Sequence, residues 1–329
     1  MLRDMMPQFE LYQPATLENA LDLVRQLKDK FWLLAGGYDS LDWFKDRAKR
    51  PTAVIDLGGI ASLKGIRETA DGLEIGALTT LTEIESHLIV QQKYGLLASA
   101  ARHVASPQIR NAGTIGGNLC QDARCWYYRS GINCYRAGGN SCYADTPQGQ
   151  NREHCLYGAN RCVAVSPSDC ATAAVALDAK MVVRSGSGER VIPAEEFFIG
   201  PATDITRMTA LKPGEILTAV RFPKEWAGAK FYFEKVTDRG TWDFALVSVA
   251  AALAVEGGTI KRARVVCGAV ECVPRRLKAV EETVVGSAQG EEIAMVAGKA
   301  AVQGATALNF NHFKIPLMEN LVRRAIRDA

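Results

Sequence analysis

Five of the chain's nine cysteines fall within one stretch, CWYYRSGINCYRAGGNSCYADTPQGQNREHCLYGANRC at 125–162. Thiols gathered in this way can form disulfides, hold zinc, hold an iron–sulfur cluster, or be neighbours by coincidence. Disulfides need an oxidising compartment, and in the cytoplasm clustered cysteines more often hold metal. An iron–sulfur cubane needs four thiolates, and their spacing in a loop can be irregular because the cluster organises the chain around itself.

Two glycine-rich segments carry a second kind of chemistry. AGGYDS at 35–40 and AGTIGGN at 112–118 each follow an apolar segment. Paired glycines let backbone N–H groups converge on an anion without obstruction by Cβ. Taken singly each segment reads as an ordinary turn, and their joint presence in one domain strengthens the case for a pyrophosphate site without settling it. Neither matches GxGxxG or the Walker A pattern, which excludes a Rossmann or P-loop reading. The four histidines, His87, His103, His154 and His312, are scattered outside any nucleophile or ligand motif. The sequence therefore offers no substrate acid–base set.

The elements that must position these residues are read from periodicity. Thr16 is a helix N-cap, with Leu17, Ala20, Leu21, Val24 and Leu27 at helical spacing after it. FWLL at 31–34, TAVIDL at 52–57 and LEIGALTTL at 73–81 read as strands, and two helices cover about 82–92 and 95–105. Residues 120–162 show little periodicity, which in a compact domain marks a functional or disordered loop. Regular structure resumes with the apolar ATAAVALDA at 171–179 and the strands KMVVR and GEILTAVRFP. From about 230 the pattern changes to long strands, FYFEKV, FALVSVAAALAV and IKRARVVCGAV, and helices follow at about 289–304 and 316–328.

Composition sets the remaining bounds. With 329 residues, 48% of them hydrophobic, the chain can bury more than one core. A net charge of +3 gives no nucleic-acid surface and no polybasic membrane patch. The longest apolar run, 244–255, is shorter than the roughly 20 residues that span a bilayer. The opening MLRDMMPQFELYQ lacks the apolar core of a signal peptide, so the expected location is the cytoplasm.

LLAGGYDSL at 33–41, SPQIRNAGTIGGNL at 106–119, SPSD at 166–169 and EKVTDRGTWDFALVSVAAAL at 234–253 occur in this order over nearly the whole chain. Together they resemble the FAD-binding medium subunits of the molybdenum hydroxylases, the xanthine dehydrogenase family. The resemblance implies an α+β protein in two parts. Residues 1–228 would be a PCMH-type FAD-binding domain of two α+β subdomains. Residues 229–329 would be a smaller α+β domain of the CO dehydrogenase flavoprotein C-terminal type, with a three-stranded sheet. It implies that Leu34, Ala35, Gly36, Gly37, Tyr38, Asp39 and Ser40 wrap the FAD pyrophosphate, with Thr114, Gly117 and Asn118 as the second wall. Ala77 and Thr80 would lie near the cofactor, Asp169 would bind a ribose or flavin-side hydroxyl, Leu217 would lie against the isoalloxazine or adenine, and Lys235 would sit close to the flavin ring. Tyr38 departs from the family, which usually has Thr there. Taken alone, Asp169 and Lys235 read as a surface ion pair.

The loop at about 120–162 is similar to the insert that holds an extra [4Fe–4S] cluster in 4-hydroxybenzoyl-CoA reductase and bacterial aldehyde oxidoreductases of this family. By motif, the resemblance assigns the ligands as Cys125, Cys134, Cys142 and Cys162, leaving Cys120 and Cys155 aside. The gaps between these four are 8, 7 and 19 residues. Zinc knuckles usually use C-x₂₋₄-C, and in and beside this loop Cys120 and Cys125 form one such pair with no second knuckle to match it. Cys170, Cys267 and Cys272, in apolar patterns, read as buried small hydrophobes.

The function implied is electron transfer. FAD and the cluster would connect two [2Fe–2S] clusters of a small partner, beside a large molybdenum-cofactor partner, to an external carrier such as ferredoxin. Arg124, Arg129, Arg136, Arg152 and Arg161 would suit docking an acidic carrier, or would simply be solvated. Export to the periplasm would require a signal on a partner subunit. Two alternatives stand beside this reading: a self-sufficient flavoenzyme of the vanillyl-alcohol oxidase type, and a zinc-stabilised, non-catalytic interaction module.

Overall fold

The computed structural model describes residues 6–28 and 30–329. The first five residues, part of the opening read above for a leader, and Asp29 lie outside the described residues. The first sheet is parallel: β1 (Glu10–Tyr12), β2 (Phe31–Leu34) and β3 (Ala53–Asp56) in the order β1-β3-β2. Parallel neighbours require crossovers, here the helices Leu17–Leu27 and Tyr38–Lys45. Thr16 caps the first as the sequence predicts, its side chain accepting from the Asn19 N–H, and Leu17, Ala20 and Val24 are buried.

The second sheet is antiparallel, with β4 (Ile66–Thr69), β5 (Gly72–Gly76), β6 (Lys180–Ser185), β7 (Gly188–Pro193) and β8 (Ile216–Pro223) in the order β4-β5-β8-β6-β7. The strand expected over 73–81 ends at Gly76. A Cβ there would lie 2.4 Å from the Leu63 carbonyl oxygen, and the chain then turns to the Thr80 cap of the helix Leu81–Ser86. Thr80 and Glu83 form a reciprocal capping box, a T-x-x-E signal present in the sequence. The helix expected over 82–92 is broken at His87, whose extended backbone separates Leu81–Ser86 from Leu88–Lys93.

The third sheet holds β9 (Lys230–Val236), β10 (Val247–Glu256), β11 (Thr259–Gly268) and β12 (Arg275–Arg276), antiparallel in the order β12-β11-β10-β9. The two-residue edge strand β12 makes it four-stranded, where the resemblance implied three. Ala250 and Ala252 of β10 join the core shared with the second sheet. Val247, Val249, Ala251 and Leu253 point the other way, into a core made with the helices Lys278–Val284, Glu291–Ala301 and Lys314–Asp328. Burial on both faces explains the unbroken apolar run of this strand. Residues 171–176 of the apolar segment belong to a helix, Asp169–Ala176, in which every residue is buried, so it has no polar face to reveal its period.

One buried cation joins the C-terminal helix to the cysteine loop. Lys314 has no exposed surface, and its Nζ donates to the carbonyls of Glu153 (2.9 Å), His154 (2.9 Å) and Ala269 (2.8 Å). Burial, with the nearby Arg124 charge, pushes its pKa down from 10.5 to about 7. Lys314→Met leaves the Glu153 and Ala269 carbonyls without a donor, while the His154 carbonyl keeps Asn311 Nδ2, and urea unfolding should show a loss of about 3 kcal/mol. Lysine's stabilising share is greatest above 10.5 and is lost as the pH falls to about 7, because the unfolded chain binds more protons across that window. The mutational loss should therefore be larger at pH 9 than at pH 6.5.

Candidate functional site

The two glycine loops meet. AGG follows β2 directly, at the carboxyl end of a parallel strand, where α/β sheets place their ligand crevices. A Cβ on Gly36 would lie 2.3 Å from the Ala112 carbonyl oxygen and 2.8 Å from the Gly113 Cα, so only glycine permits this approach. Gly37 has φ 85° and begins the helix Tyr38–Lys45. Gly116 packs on Ala77, where a Cβ would come within 2.8 Å of the Ala77 oxygen. Thr80 and Thr114 form an isolated bridge, and the Thr114 side chain accepts from the Gly117 N–H. A Cβ on Gly117 would lie 3.8 Å from the Ala35 Cβ. Ala35, Gly36, Gly37, Ala77, Thr80, Thr114 and Gly117 are thus gathered into one region, with Leu34 packed beneath Gly37.

A cavity of about 520 Å³ opens beside it, lined by Tyr38, Asp39, Asn118, Asp169 and Lys235. The Asn118 side-chain oxygen Oδ1 accepts from Ser168 Oγ (2.7 Å) and the Cys170 N–H (3.2 Å), which ties SPSD to the second glycine loop. Asp169 and Lys235 are not a surface pair. Their side chains are 5% and 3% exposed, their charged atoms 2.6 Å apart, and Lys235 Nζ also donates to the His103 carbonyl at 2.8 Å. Burial pushes the Asp169 carboxyl upward, and the Lys235 ammonium pulls it back. Asp39 receives Arg129 Nη1 at 2.9 Å and Trp43 Nε1 at 3.2 Å, while Ser40 Oγ accepts from Trp32 Nε1 at 2.9 Å. Leu217 is buried in the core that also holds Ala77 and Ile115, and it does not line this cavity.

Sequence reasoning did not assign several lining residues to the cavity: Gln121, Arg129, Arg239, Trp242 and Phe244. Trp242 adopts φ 52° and its N–H donates to the Ala105 carbonyl, a conformation that nothing in the local sequence signals. Arg129 lies 4.4 Å over the Trp43 ring and 5.4 Å over Phe244, a cation–π position readable only once the fold has joined these segments.

The cysteine loop folds around a second, small cavity. Cys125, Cys134, Cys142 and Cys162 all line it, together with Tyr127, Tyr128 and Tyr135; Cys155 and Cys120 do not. All nine cysteines are free thiols. Cys170 and Cys267 sit in apolar cores as expected, whereas the buried Cys272 accepts a hydrogen bond from Arg136 Nη2 at 3.4 Å. Among the described residues no three Cys, His, Asp or Glu side chains stand close enough to hold a single metal ion. A lone zinc needs its sulfurs at about 2.3 Å, whereas a cubane attaches each thiolate to a different iron and spreads the donors further. The donor set itself, four soft sulfurs, fits such a cluster. Burial pushes the Cys125 thiol up to about 12, and the neighbouring Cys162 and Cys134 add to it. Cations bound by the sulfurs would displace these protons.

Most of the loop's arginines are consumed internally. Arg124 pairs with Glu153 (2.7 Å), Arg129 with Asp39 (2.9 Å), Arg136 with Asp122 (3.3 Å) and Arg152 with Asp238 (2.6 Å), while Arg161 stacks 5.8 Å over Tyr135. Arg124 and Arg136 are buried and Arg129 is half-buried, whereas Arg152 is 45% exposed. The short helix Trp126–Arg129 links the two cavities, with Tyr127 and Tyr128 on the thiol side and Arg129 on the cleft side. Lys235→Met strands a buried carboxylate in the cleft wall, and denaturant unfolding should register a loss of about 3–5 kcal/mol.

Comparisons with known proteins follow this geometry. A family model described as "FAD binding domain in molybdopterin dehydrogenase" matches residues 7–225, and one described as "CO dehydrogenase flavoprotein C-terminal domain" matches residues 231–329. The aldehyde oxidoreductase FAD-binding subunit PaoB of Escherichia coli (strain K12) is 37% identical over 83% of this chain and 84% of its own length. The carbon monoxide dehydrogenase medium chain of Hydrogenophaga pseudoflava is 29% identical over 98% and 97%. A solved structure of carbon monoxide dehydrogenase from Hydrogenophaga pseudoflava superposes with a TM-score of 0.78 at 29% identity, covering 99% of this chain and 98% of that one. Sequence, fold and cleft agree, and the chain belongs to the FAD-binding medium subunits of the molybdenum hydroxylase family, of the CO dehydrogenase and xanthine dehydrogenase type.

Proposed function

We propose that this chain is the electron-transfer subunit of a molybdenum-dependent hydroxylase or reductase complex and that it carries a [4Fe–4S] cluster as well as FAD. One observation supports the cluster most directly: the four cysteines assigned by motif line one cavity, and the two set aside do not. The relative at 37% identity is an aldehyde oxidoreductase subunit, which agrees with that branch. We divide the chain into an FAD-binding domain over 1–228, with the cluster loop at about 120–162, and a C-terminal domain over 229–329.

Bound in the cleft, FAD would supply exchange between one-electron and two-electron chemistry, and the cluster in the loop would supply one-electron exchange. Leu34 to Ser40, Thr114, Gly117 and Asn118 hold the pyrophosphate, with Ala77 and Thr80 behind them. Gly36 and Gly37 admit the backbone to the phosphates because they carry no Cβ. Asp169 and Lys235 fix the wall on the flavin side and exclude water there. Cys125, Cys134, Cys142 and Cys162 supply the cluster's thiolates. The partners of this assembly are a large molybdenum-cofactor subunit, a small subunit with two [2Fe–2S] clusters, and a ferredoxin-like carrier. Arg152 and Arg161, the exposed members of the loop's arginines, remain able to meet an acidic carrier. Among the described residues no helix is long and apolar enough to cross a membrane. We place the complex in the cytoplasm, or in the periplasm if a partner carries it there. The family assignment leaves no observation favouring a stand-alone vanillyl-alcohol oxidase type enzyme or a zinc-stabilised module.

Anaerobically purified, dithionite-reduced protein should contain about four iron and four sulfide per FAD and give a fast-relaxing S = 1/2 signal in low-temperature EPR. FAD without iron would end the cluster reading. Cys142→Ser should lose the cluster and keep FAD, whereas Cys155→Ser should keep both. Full iron in the Cys142 variant would refute the ligand assignment. Gly37→Val should lose flavin in an absorbance assay, since a branched side chain is strained at φ 85° and crowds the phosphate approach.

A further inference from the structure

His154 differs from what its sequence context suggests. Its ring is 1% exposed, and Nε2 lies 3.3 Å from Cys125 Sγ, while Nδ1 has no hydrogen-bond partner. A neutral imidazole carries one N–H and one lone pair. With the proton on Nδ1, a buried N–H would go unmet and a lone pair would face the sulfur. With the proton on Nε2, the donor meets the sulfur and only one lone pair is left bare. The second tautomer is therefore favoured.

The ring is also held from its backbone. The His154 carbonyl accepts from Lys314 Nζ (2.9 Å) and Asn311 Nδ2 (3.1 Å), and its N–H donates to the Asn151 carbonyl (3.1 Å). The donor reaches Cys125 already positioned, with little side-chain freedom left to lose. We propose that His154 is a positioning residue for the cluster loop, donating its Nε2–H to the Cys125 sulfur and raising the reduction potential of the cluster that this sulfur holds. A donor withdraws electron density from a ligating thiolate and so stabilises the more negative, reduced state. This inference rests on the cluster reading above.

The test uses the full chain reconstituted anaerobically with ferrous iron and sulfide, with the midpoint potential followed by EPR. His154→Leu removes the donor, and His154→Gln retains one. The leucine variant should shift the oxidised-to-reduced ratio at fixed potential about tenfold, which is about 59 mV downward for a one-electron couple. The glutamine variant should stay nearer the wild type. Loading of the glutamine variant alone would also support the donor. Unchanged potentials, an equal shift in both variants, or loss of the cluster from both would overturn it. A wild-type chain that takes up no iron shows instead that the cluster reading has failed, and the proposal falls with it.

Discussion

Two loops in this protein approach each other more closely than any side chain allows. Gly36 lies against the Ala112–Gly113 backbone with no space for a Cβ, and Gly116 lies against Ala77 in the same way. The first loop is delivered by a parallel βαβ unit and the second by the short helices Pro107–Arg110 and Ile115–Leu119, packed beside the end of β5 of the antiparallel sheet, so the contact joins two otherwise separate architectures. The Thr80–Thr114 bridge and the Asn118–Ser168 hydrogen bond then carry the chain outward to Asp169 and Lys235. That glycine contact sets one side of the cleft, and the segment 239–244 closes another from the third sheet's side, tied to Ala105 through Trp242.

The cysteine loop meets a different constraint. Some forty residues with little regular structure lose backbone entropy on ordering, roughly 1–2 kcal/mol each, and few helical or ladder hydrogen bonds offset the loss. Buried charge does much of that work here. Lys314 and Asn311 gather the carbonyls of Glu153, His154 and Cys155, and Arg124 reaches both Glu153 and the Ala245 carbonyl. These partners come from the C-terminal part of the chain, so the loop is inserted in one half and anchored by the other.

Much of this was legible before the fold was known. The Thr16 cap, the strands around 31–34 and 52–57, the glycine loops and the four cavity cysteines all follow from local pattern or motif. What escaped notice depends on tertiary context. The buried helix Asp169–Ala176 has no polar face, so its period is silent. Arg129 and His154 are ordinary residues in sequence, and each acquires a role only when a distant segment, carrying Asp39 or Lys314, is folded against it. The Thr80–Glu83 box was readable and would have ended the strand at the right place.

The third sheet bears on how the chain can be divided. Alternate residues of β10 serve two cores, and the fully buried helix Asp169–Ala176 packs against both β10 and β11. A boundary drawn near residue 228 separates two sequence families, but it does not separate two packing units. An excised N-terminal fragment would present an apolar helix flank to water and invite association through it. The two halves therefore inherit one another's stability, and recombining them between relatives requires matching the small residues along this shared wall rather than only rejoining the chain at its linker.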